Sequence, residues 1–406
     1  MWTALVLAGA TLVVSFNWLV DPYSLFGTPR IAGFNANKVD FVEHLRLTNV
    51  YSVKRIKPDA LIIGTSRAGR GLSPLHPGWR DLHCYNLSMP AMYMPEALRY
   101  IRYANAVHPL KRVVLGLDFR SFHFQAEGSD DAWLDAHLSV SWDGSPQANL
   151  FTALLPDLAA SLLSSDALLD SLRTVRFQSW QNMTLTEQGL WLSLTDRYDH
   201  AKSFDAYTRN TLHRYAEYAS QPFDMQQALA PFREILQLAH RHGIGLYLVI
   251  SPSHAWHWET LRLAGLLPRF EDIKRELVAS NLLVAAEMGR RPFPLWDFSG
   301  FHFLASEPVP TASGPAMHWF WDPVHFKLAM GDLVLDRVFD HNPQQLPGDF
   351  GLRLDSTDME HHLAVWREGE EAWRVTHPAE VRQLEFIYRA TIPIPIVSGT
   401  PPSPNP

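Results

Sequence analysis

Short apolar runs alternate with amphipathic segments through the middle of the chain. The strongest runs cover Ala60–Ile63, 113–117 and 246–250, and weaker ones cover 84–87 and 294–298. Continuous apolar runs of this length are typical of strands that are buried on both faces of a parallel sheet. The pattern predicts an α/β fold with a mostly parallel sheet and helices on both faces. The helical patterns cover 39–55, 95–107, 227–242, 259–288 and 327–339.

The stretch from 121 to 226 interrupts this alternation between the third and fourth strands. It includes an apolar helical pattern at 154–172 and is too long for a structureless loop. We predict an insertion that covers the carboxyl edge of the sheet, where open α/β sheets bind ligands. The predicted segments are an anchor at 1–20, a linker and lead-in helix at 21–57, an α/β domain at 58–340, a C-terminal extension at 341–392 and a flexible Pro-rich tail at 393–406.

The first twenty residues carry no ionised side chain before Asp21-Pro22 ends the apolar run. This length is enough to cross a bilayer once as a helix. No basic residue occurs before Arg30, which favours an uncleaved anchor over a signal peptide, although a signal peptide and a buried helix stay open as alternatives. The basic residues after the span favour a domain on the cytoplasmic side of the membrane. Long domains translocate largely regardless of charge, however, so the orientation of the anchor stays open.

Composition excludes several classes of function. The formal charge of −7 and the absence of a basic stripe argue against a nucleic-acid partner. The 19 histidines show no H-E-x-x-H spacing, and Cys84 is the only cysteine, so no metal site is predicted. Gly69 and Gly71 lack the rest of either nucleotide-binding fingerprint, and no cofactor is expected.

A serine follows the first predicted strand directly, in Gly64-Thr65-Ser66-Arg67. This position places the Ser66 hydroxyl at the carboxyl edge of the sheet. A serine hydroxyl becomes a useful nucleophile when a neighbouring base takes its proton. A serine between a strand and a helix can also serve only as an N-cap, so this position alone leaves both roles open.

An aspartate three residues before a histidine supplies the matching base. In Trp321-Asp322-Pro323-Val324-His325, the carboxylate can hold one ring nitrogen of His325 and leave the other for the serine. The same spacing recurs at Asp358 and His361, but there the surroundings are polar and predict a solvated helix face. The apolar context of Asp322 makes an unpaired charge costly, and we therefore favour that pair as functional.

The order strand-glycine-serine near the start and Asp-x-x-His near the end resembles the SGNH, or GDSL-like, hydrolase superfamily over about residues 58–340. The resemblance implies a flavodoxin-like sheet, with Ser66 as the nucleophile, His325 as the base and Asp322 as the residue that orients it. Two further blocks of the family supply oxyanion donors. Their counterparts here are Asn86-Leu87-Ser88 and Gly116-Leu117-Asp118.

Asp118 departs from the family pattern, since an asparagine donor is replaced by a carboxylate that would repel an oxyanion. Ser88 stands where the family usually has glycine. Asp118 and Arg67 both lie at the predicted carboxyl ends of neighbouring strands. We predict that they pair and fix the turn that carries Ser66.

The Ser-Arg first block with an N-terminal anchor resembles a membrane-tethered branch that includes alginate O-acetylation proteins. The resemblance implies a serine esterase or O-acyltransferase of a cell-envelope or exported polysaccharide, in a bacterial-type inner membrane with its domain outside the cytoplasm, and a membrane acyl-donor protein as a partner. The alternative is a catalytically inactive envelope-assembly or polysaccharide-binding protein with the same fold. Aromatic faces stack on sugar rings, and His254, Trp256, Trp258 and Trp321 are the candidate substrate contacts. The alternative, which we favour for Trp256 and Trp258, is that they pack beneath the insertion.

Overall fold

A six-stranded sheet forms the centre of the molecule in the computed structural model, which describes residues 1–123, 131–141, 145–147, 153–180, 182–195, 198–310 and 314–392. The predicted tail at 393–406 lies outside these residues. The strands of the central sheet are β1 Ala60–Ile63, β2 Cys84–Asn86, β3 Arg112–Leu117, β6 Gly245–Ile250, β7 Leu295–Asp297 and β8 Leu352–Arg353; β4 Met183–Leu185 and β5 Trp191–Ser193 form a separate hairpin.

The strand order in the sheet is β2-β1-β3-β6-β7-β8. The first five strands are parallel, and β8 runs antiparallel to β7. The predicted α/β class with a mostly parallel sheet is therefore confirmed. The chain moves from β1 to β2 on one side and returns to β3 on the other, so the strand order reverses between β1 and β3. The crevice at such a reversal is where open α/β sheets bind ligands.

Helices surround the sheet, and successive β1 side chains pack into different hydrophobic clusters. Leu61 and Ile63 belong to one cluster, and Ala60 and Ile62 to the other. This alternation follows from the period of two in an extended strand. The helices are α1 Trp2–Val20, α2 Phe41–Ile56, α3 Ser66–Gly71, α4 Met94–Val107, α5 Asp131–Leu138, α6 Leu155–Leu163, α7 Ser165–Arg176, α8 His200–Ser220, α9 Met225–His242, α10 Ala255–Leu263, α11 Leu267–Glu287, α12 Leu328–Phe339, α13 Met359–Thr376 and α14 Pro378–Thr391.

Two long helical patterns in the sequence are each two helices in the structure. The pattern at 259–288 is divided by Gly265, whose left-handed φ of +71° separates α10 from α11. The pattern at 154–172 is divided at Ser164, whose hydroxyl accepts a hydrogen bond from the Ala167 amide and caps α7. Apolar periodicity continues across the first break because α10 and α11 both bury apolar residues. Helices α6 and α7 instead leave several leucines exposed.

Helix α1 is long and apolar enough to cross a membrane, and most of its surface is exposed. It contacts α6 and α7 of the insertion, and the Asn17 amide donates to the Leu162 carbonyl at 3.0 Å. The segment after α1, predicted as a linker, is a folded turn. The buried Asp21 carboxylate accepts backbone N–H bonds there, including those of Leu25 at 2.8 Å and Gly27 at 2.9 Å.

The chain beyond residue 340 contributes to the sheet and to its buried polar contacts. Strand β8 pairs with β7, and His362 of α13 lies 2.8 Å from the Asp297 carboxylate. Lys274 lies 2.8 Å from the same carboxylate. Burial raises the pKa of Asp297, but Lys274 and His362 outweigh burial and hold it below its usual range. The C-terminal helices are therefore tied to the end of β7 by a charged cluster.

Candidate active site

Ser66 is the first residue of α3, directly after the turn that ends β1. The N-cap of this helix is Thr65, whose hydroxyl accepts a hydrogen bond from the Arg67 amide at 3.3 Å. A Cβ on Gly64 would lie 3.2 Å from the Gly116 backbone, so glycine allows β1 and β3 to approach closely at this turn. Since Thr65 caps the helix, the Ser66 side chain does not. The Ser66 Oγ instead lies 2.8 Å from the His325 Nε2.

His325 is held on its other side by Asp322. The ring Nδ1 lies 2.7 Å from Asp322 Oδ2, while Oδ1 accepts the backbone N–H groups of Val324 and His325 at 3.0 Å each. These bonds fix the carboxylate within its own turn. The arrangement favours the tautomer that carries hydrogen on Nδ1 and leaves Nε2 to accept the Ser66 proton. The structure thus brings together the three residues predicted from sequence.

The Asp322 carboxylate is buried but stays ionised. Burial raises its pKa, yet the neighbouring His325 and Arg70 outweigh burial and hold the pKa below its usual value. The Arg70 Nη1 lies 3.8 Å from Asp322 Oδ2. Trp321, a predicted substrate contact, is 8% exposed and lies between cations, with Arg70 and Lys327 5.2 and 4.2 Å from its ring. Arg70 was not predicted as part of this site.

The second Asp-x-x-His, at Asp358 and His361, forms no comparable pair. Both side chains are exposed, and no hydrogen bond or ion pair joins them within the described part of the chain. Asp358 precedes α13, and its carbonyl accepts the His362 amide at 2.8 Å. The predicted solvated helix face matches this placement.

Asp118 and Arg67 form the predicted pair at the ends of β3 and β1. Arg67 Nη1 lies 3.4 Å from Asp118 Oδ1, and the Thr65 hydroxyl donates to Asp118 Oδ2. The same guanidinium donates to Ser253 Oγ at 2.8 Å and lies 3.2 Å from His257 Nε2. Both charged side chains are almost fully buried. This pair therefore joins the turn that carries Ser66 to the ends of β3 and β6.

The predicted oxyanion donors on β2 are used elsewhere, which corrects their assignment. The Asn86 side-chain amide donates to the carbonyls of Ala68 and Leu72 at 2.9 Å each, and the Ser88 backbone N–H donates to Asn86 Oδ1 at 3.1 Å. Asn86 therefore stabilises the end of α3. Gly116 lies within β3 and permits the close contact with Gly64. These groups position the turn that carries Ser66, and the Asn86 amide and the Ser88 backbone N–H are not free to act as oxyanion donors.

A cavity of about 160 Å³ opens beside Ser66 at the reversal of strand order. One wall comes from the sheet edge and the other from α8, so the insertion does cover this part of the edge. The α8 residues could not be predicted as part of the site, because their only signal is a helical period inside a long insertion. The lining residues are Thr65, Ser66, Arg67, Ala91, Asp118, Arg120, Tyr207, Asn210, Thr211, Arg214 and Tyr215.

Ala91 is the unusual backbone position of this cavity. Its φ of +52° is left-handed, a conformation that costs a residue with a Cβ about 1–2 kcal/mol. Residues held in such conformations cluster at functional sites, where the surrounding structure compensates for the strain. Nothing in the sequence around Ala91 marks it, because left-handed positions are usually signalled by glycine or asparagine.

His254, Trp256 and Trp258 lie in the interior and do not line the cavity. The two tryptophans match the packing alternative, and His254 is not placed as a substrate contact. All three side chains are at most 3% exposed. His254 caps α10 by accepting the Trp256 amide at 3.2 Å, and its Nε2 donates to the Glu307 carbonyl at 2.7 Å. The Trp258 indole donates to the Ser253 carbonyl at 3.2 Å. These residues support the site from the interior of the protein through packing.

The buried His254 predicts a pH dependence of stability. Burial lowers the pKa of His254 to about 4, so the folded state binds this proton less readily than the unfolded state. The contribution of neutral His254 to the free energy of unfolding is fully present above the unfolded-state pKa of about 6.5. It decreases by roughly 3 kcal/mol as the pH falls toward 4. In urea unfolding, His254→Asn should lose less stability than the wild type between pH 7 and pH 4.5. Identical losses would contradict this assignment.

No family model matches this sequence, and no curated protein gives a significant match. No group of three or more His, Cys, Asp or Glu side chains that could hold a metal ion occurs among the described residues. The chemistry of the site therefore has to be argued from its own geometry.

Proposed function

We propose that the protein is a membrane-anchored serine esterase or O-acyltransferase. The observation that carries this proposal is the continuous chain from Ser66 Oγ to His325 Nε2 at 2.8 Å and from His325 Nδ1 to Asp322 at 2.7 Å. A serine, an imidazole and a carboxylate in this order form the relay that activates a serine nucleophile. The relay ends in a cavity, so an acyl ester has access to the hydroxyl.

In the first half of the reaction, His325 Nε2 takes the Ser66 proton while Oγ attacks the acyl carbonyl. The tetrahedral intermediate collapses, the ester C–O bond breaks, and the imidazolium returns its proton to the leaving alkoxide. Asp322 stabilises the transient imidazolium, since its carboxylate stays ionised. Water or a sugar hydroxyl then attacks the acyl-enzyme while His325 takes the proton of the acceptor. The bond between the acyl carbon and Ser66 Oγ breaks, and the imidazolium returns the proton to Oγ. Hydrolysis and transfer share the first half and differ only in this acceptor.

The strand order supports the SGNH resemblance. Counting only the parallel strands of the central sheet, the order is 2-1-3-4-5, the flavodoxin-like order. Ser66 follows the first strand, and Asp322 and His325 precede α12, as that superfamily would have them. The exposed apolar α1 favours a single-pass anchor in a bacterial-type inner membrane. We place the domain outside the cytoplasm, with an acylated envelope or exported polysaccharide as substrate and a membrane protein as acyl donor.

A second candidate function is polysaccharide binding without catalysis. Two observations favour it. The Asn86 side-chain amide and the Ser88 backbone N–H donate to other groups of the protein, and residue 118 is a carboxylate instead of an amide donor. The catalytic proposal requires other donors. Backbone N–H groups in the first turn of a helix have no partner within that helix, and Ser66 is in the first turn of α3. We therefore propose the Ser66 backbone N–H as an oxyanion donor.

Labelling with a fluorophosphonate probe separates these two functions. The wild-type protein should form a covalent adduct at Ser66, because the probe reacts only with an activated serine. Ser66→Ala should abolish labelling. Ser171→Ala is the matched control, since Ser171 is a buried serine of α7 outside the cavity. Labelling that persists in Ser66→Ala would remove Ser66 from the mechanism, and no labelling of the wild type would favour the binding protein.

A further inference from the structure

A second cavity, of about 180 Å³, lies where the chain leaves α1. The turn after α1 forms one wall, and the end of α2 and the loop after β4 complete it. Its charged lining residues are Asp21, Arg30, Lys38, Arg55 and Glu187. It shares no lining residue with the cavity beside Ser66.

The three cations of this cavity are held in place by backbone carbonyl groups. Lys38 Nζ donates to the Val20 carbonyl at 2.8 Å, Arg30 Nη1 to the Leu185 carbonyl at 2.6 Å, and Arg55 Nη1 to the Leu25 carbonyl at 3.0 Å. Carbonyl groups orient a cation without neutralising its charge. The cavity therefore presents fixed, positively charged groups.

The two carboxylates do not cancel this charge through direct pairing. Asp21 is occupied by the backbone N–H groups of its own turn, and the Glu187 side chain is exposed. Within the described residues, no ion pair of 4 Å or less joins either carboxylate to the three cations. Burial lowers the pKa of Lys38 to about 8, and the nearby Asp21 carboxylate only partly opposes this shift. A bound anion would supply a direct partner for this ammonium.

Two buried hydroxyl groups in the same wall have no hydrogen-bond partner in the described structure. Ser24 and Thr28 are 6% and 8% exposed, and both line the cavity. An unsatisfied buried hydroxyl costs about 1–3 kcal/mol unless a ligand or water satisfies it. Hydroxyl donors and guanidinium groups that converge on one space are the groups that bind phosphate oxygens.

The cavity adjoins the part of the molecule suited to a membrane surface. Lys38 contacts Val20, the last residue of α1. The helices that pack on α1 also expose large apolar side chains, as expected at a bilayer interface. These exposed residues are Leu155, Leu163, Leu169 and Leu172 of the two helices, together with Phe177 and Trp180 just after α7.

From these observations we infer that this cavity binds the phosphate head group of an anionic membrane lipid. The inference takes from the proposed function only the membrane insertion of α1 and is independent of the chemistry at Ser66. A head group held here would contact both the turn after α1 and the body of the domain. Free phosphate has the same recognition chemistry, so the test must separate the two sources.

The test uses the full chain in detergent micelles that contain defined lipids. Binding of phosphatidylglycerol and phosphatidylcholine is measured by native mass spectrometry, and thermal unfolding is followed with each lipid and with inorganic phosphate alone. We expect phosphatidylglycerol to bind at least about tenfold more tightly than phosphatidylcholine and to raise Tm, while inorganic phosphate binds more weakly. Equal binding of the two lipids would overturn the inference. Saturation by inorganic phosphate without a lipid preference would overturn the lipid as the ligand.

Substitutions at the cavity distinguish binding from folding. Arg55→Gln should weaken phosphatidylglycerol binding by about tenfold. Thr28→Val removes an unsatisfied hydroxyl and should leave Tm without lipid unchanged or higher while it weakens lipid binding. Thr174→Val is the matched control, because Thr174 also has a buried, unpartnered hydroxyl but lies in α7 outside the cavity. Unchanged lipid preference in both Arg55→Gln and Thr28→Val would contradict the site, whatever the outcome of probe labelling at Ser66.

Discussion

Replacement of His325 by glutamine is expected to slow the reaction of Ser66 with a fluorophosphonate probe by at least about 10³-fold without unfolding the protein. Ser66 Oγ lies 2.8 Å from His325 Nε2, and an amide side chain at 325 can accept a hydrogen bond but cannot take the proton. The second-order rate constant of labelling measures the effect directly. Hydrolysis of a small activated acetate ester should fall in parallel, because both reactions need the same activated hydroxyl.

The chain supplies its own control for this substitution. His361 has the same spacing from an aspartate as His325, but it is exposed on α13, and no hydrogen bond or ion pair joins it to Asp358 in the described structure. His361→Gln should therefore label at the wild-type rate. If both variants label at the wild-type rate, His325 is not the base and the proposed relay fails. If both lose labelling, the loss reflects a general defect, and circular dichroism would reveal it.

The central sheet could be predicted because its strands are buried on both faces. A strand such as Ala60–Ile63 has only apolar positions, and its ends are marked by glycine and polar residues. Strand β8 could not be predicted in this way. It has two residues, Leu352 and Arg353, both exposed, and it pairs at the edge of the sheet. Its formation depends on contacts between distant segments, which a local pattern does not contain.

The three residues of the relay could be predicted because each has a local signal. Ser66 follows a strand, and Asp322 and His325 share one turn. The oxyanion donors could not be predicted, because a donor is available only if no other group of the protein already accepts its hydrogen bond. Asn86 has the residue type of a donor, but its amide is used by the carbonyls of Ala68 and Leu72. Sequence gives the chemical type of a group, and only the folded structure shows whether another group already uses it.

Asp118 carries the largest predicted effect on stability. Asp118→Ala leaves the Arg67 guanidinium buried without its carboxylate, and loss of one partner of a buried pair costs about 3–5 kcal/mol. Asp118→Asn keeps the shape and an acceptor for the Thr65 hydroxyl but not the charge, so its loss should be smaller, about 1–3 kcal/mol. The free energy of unfolding in urea measures both values. Labelling at Ser66 should also slow, since the pair fixes the turn that carries this serine.

The matched control is Asp59→Ala. Asp59 also belongs to an ion pair, with Lys111 at 2.7 Å, but that pair joins the residues just before β1 and β3 and is partly exposed. Exposed pairs contribute about 0–1 kcal/mol, so this variant should lose little stability. If the site is instead inactive because Asp118 replaces an asparagine donor, Asp118→Asn would restore an amide beside Ser66 and speed labelling. Slower labelling with lower stability supports the pair, and faster labelling at unchanged stability would refute it.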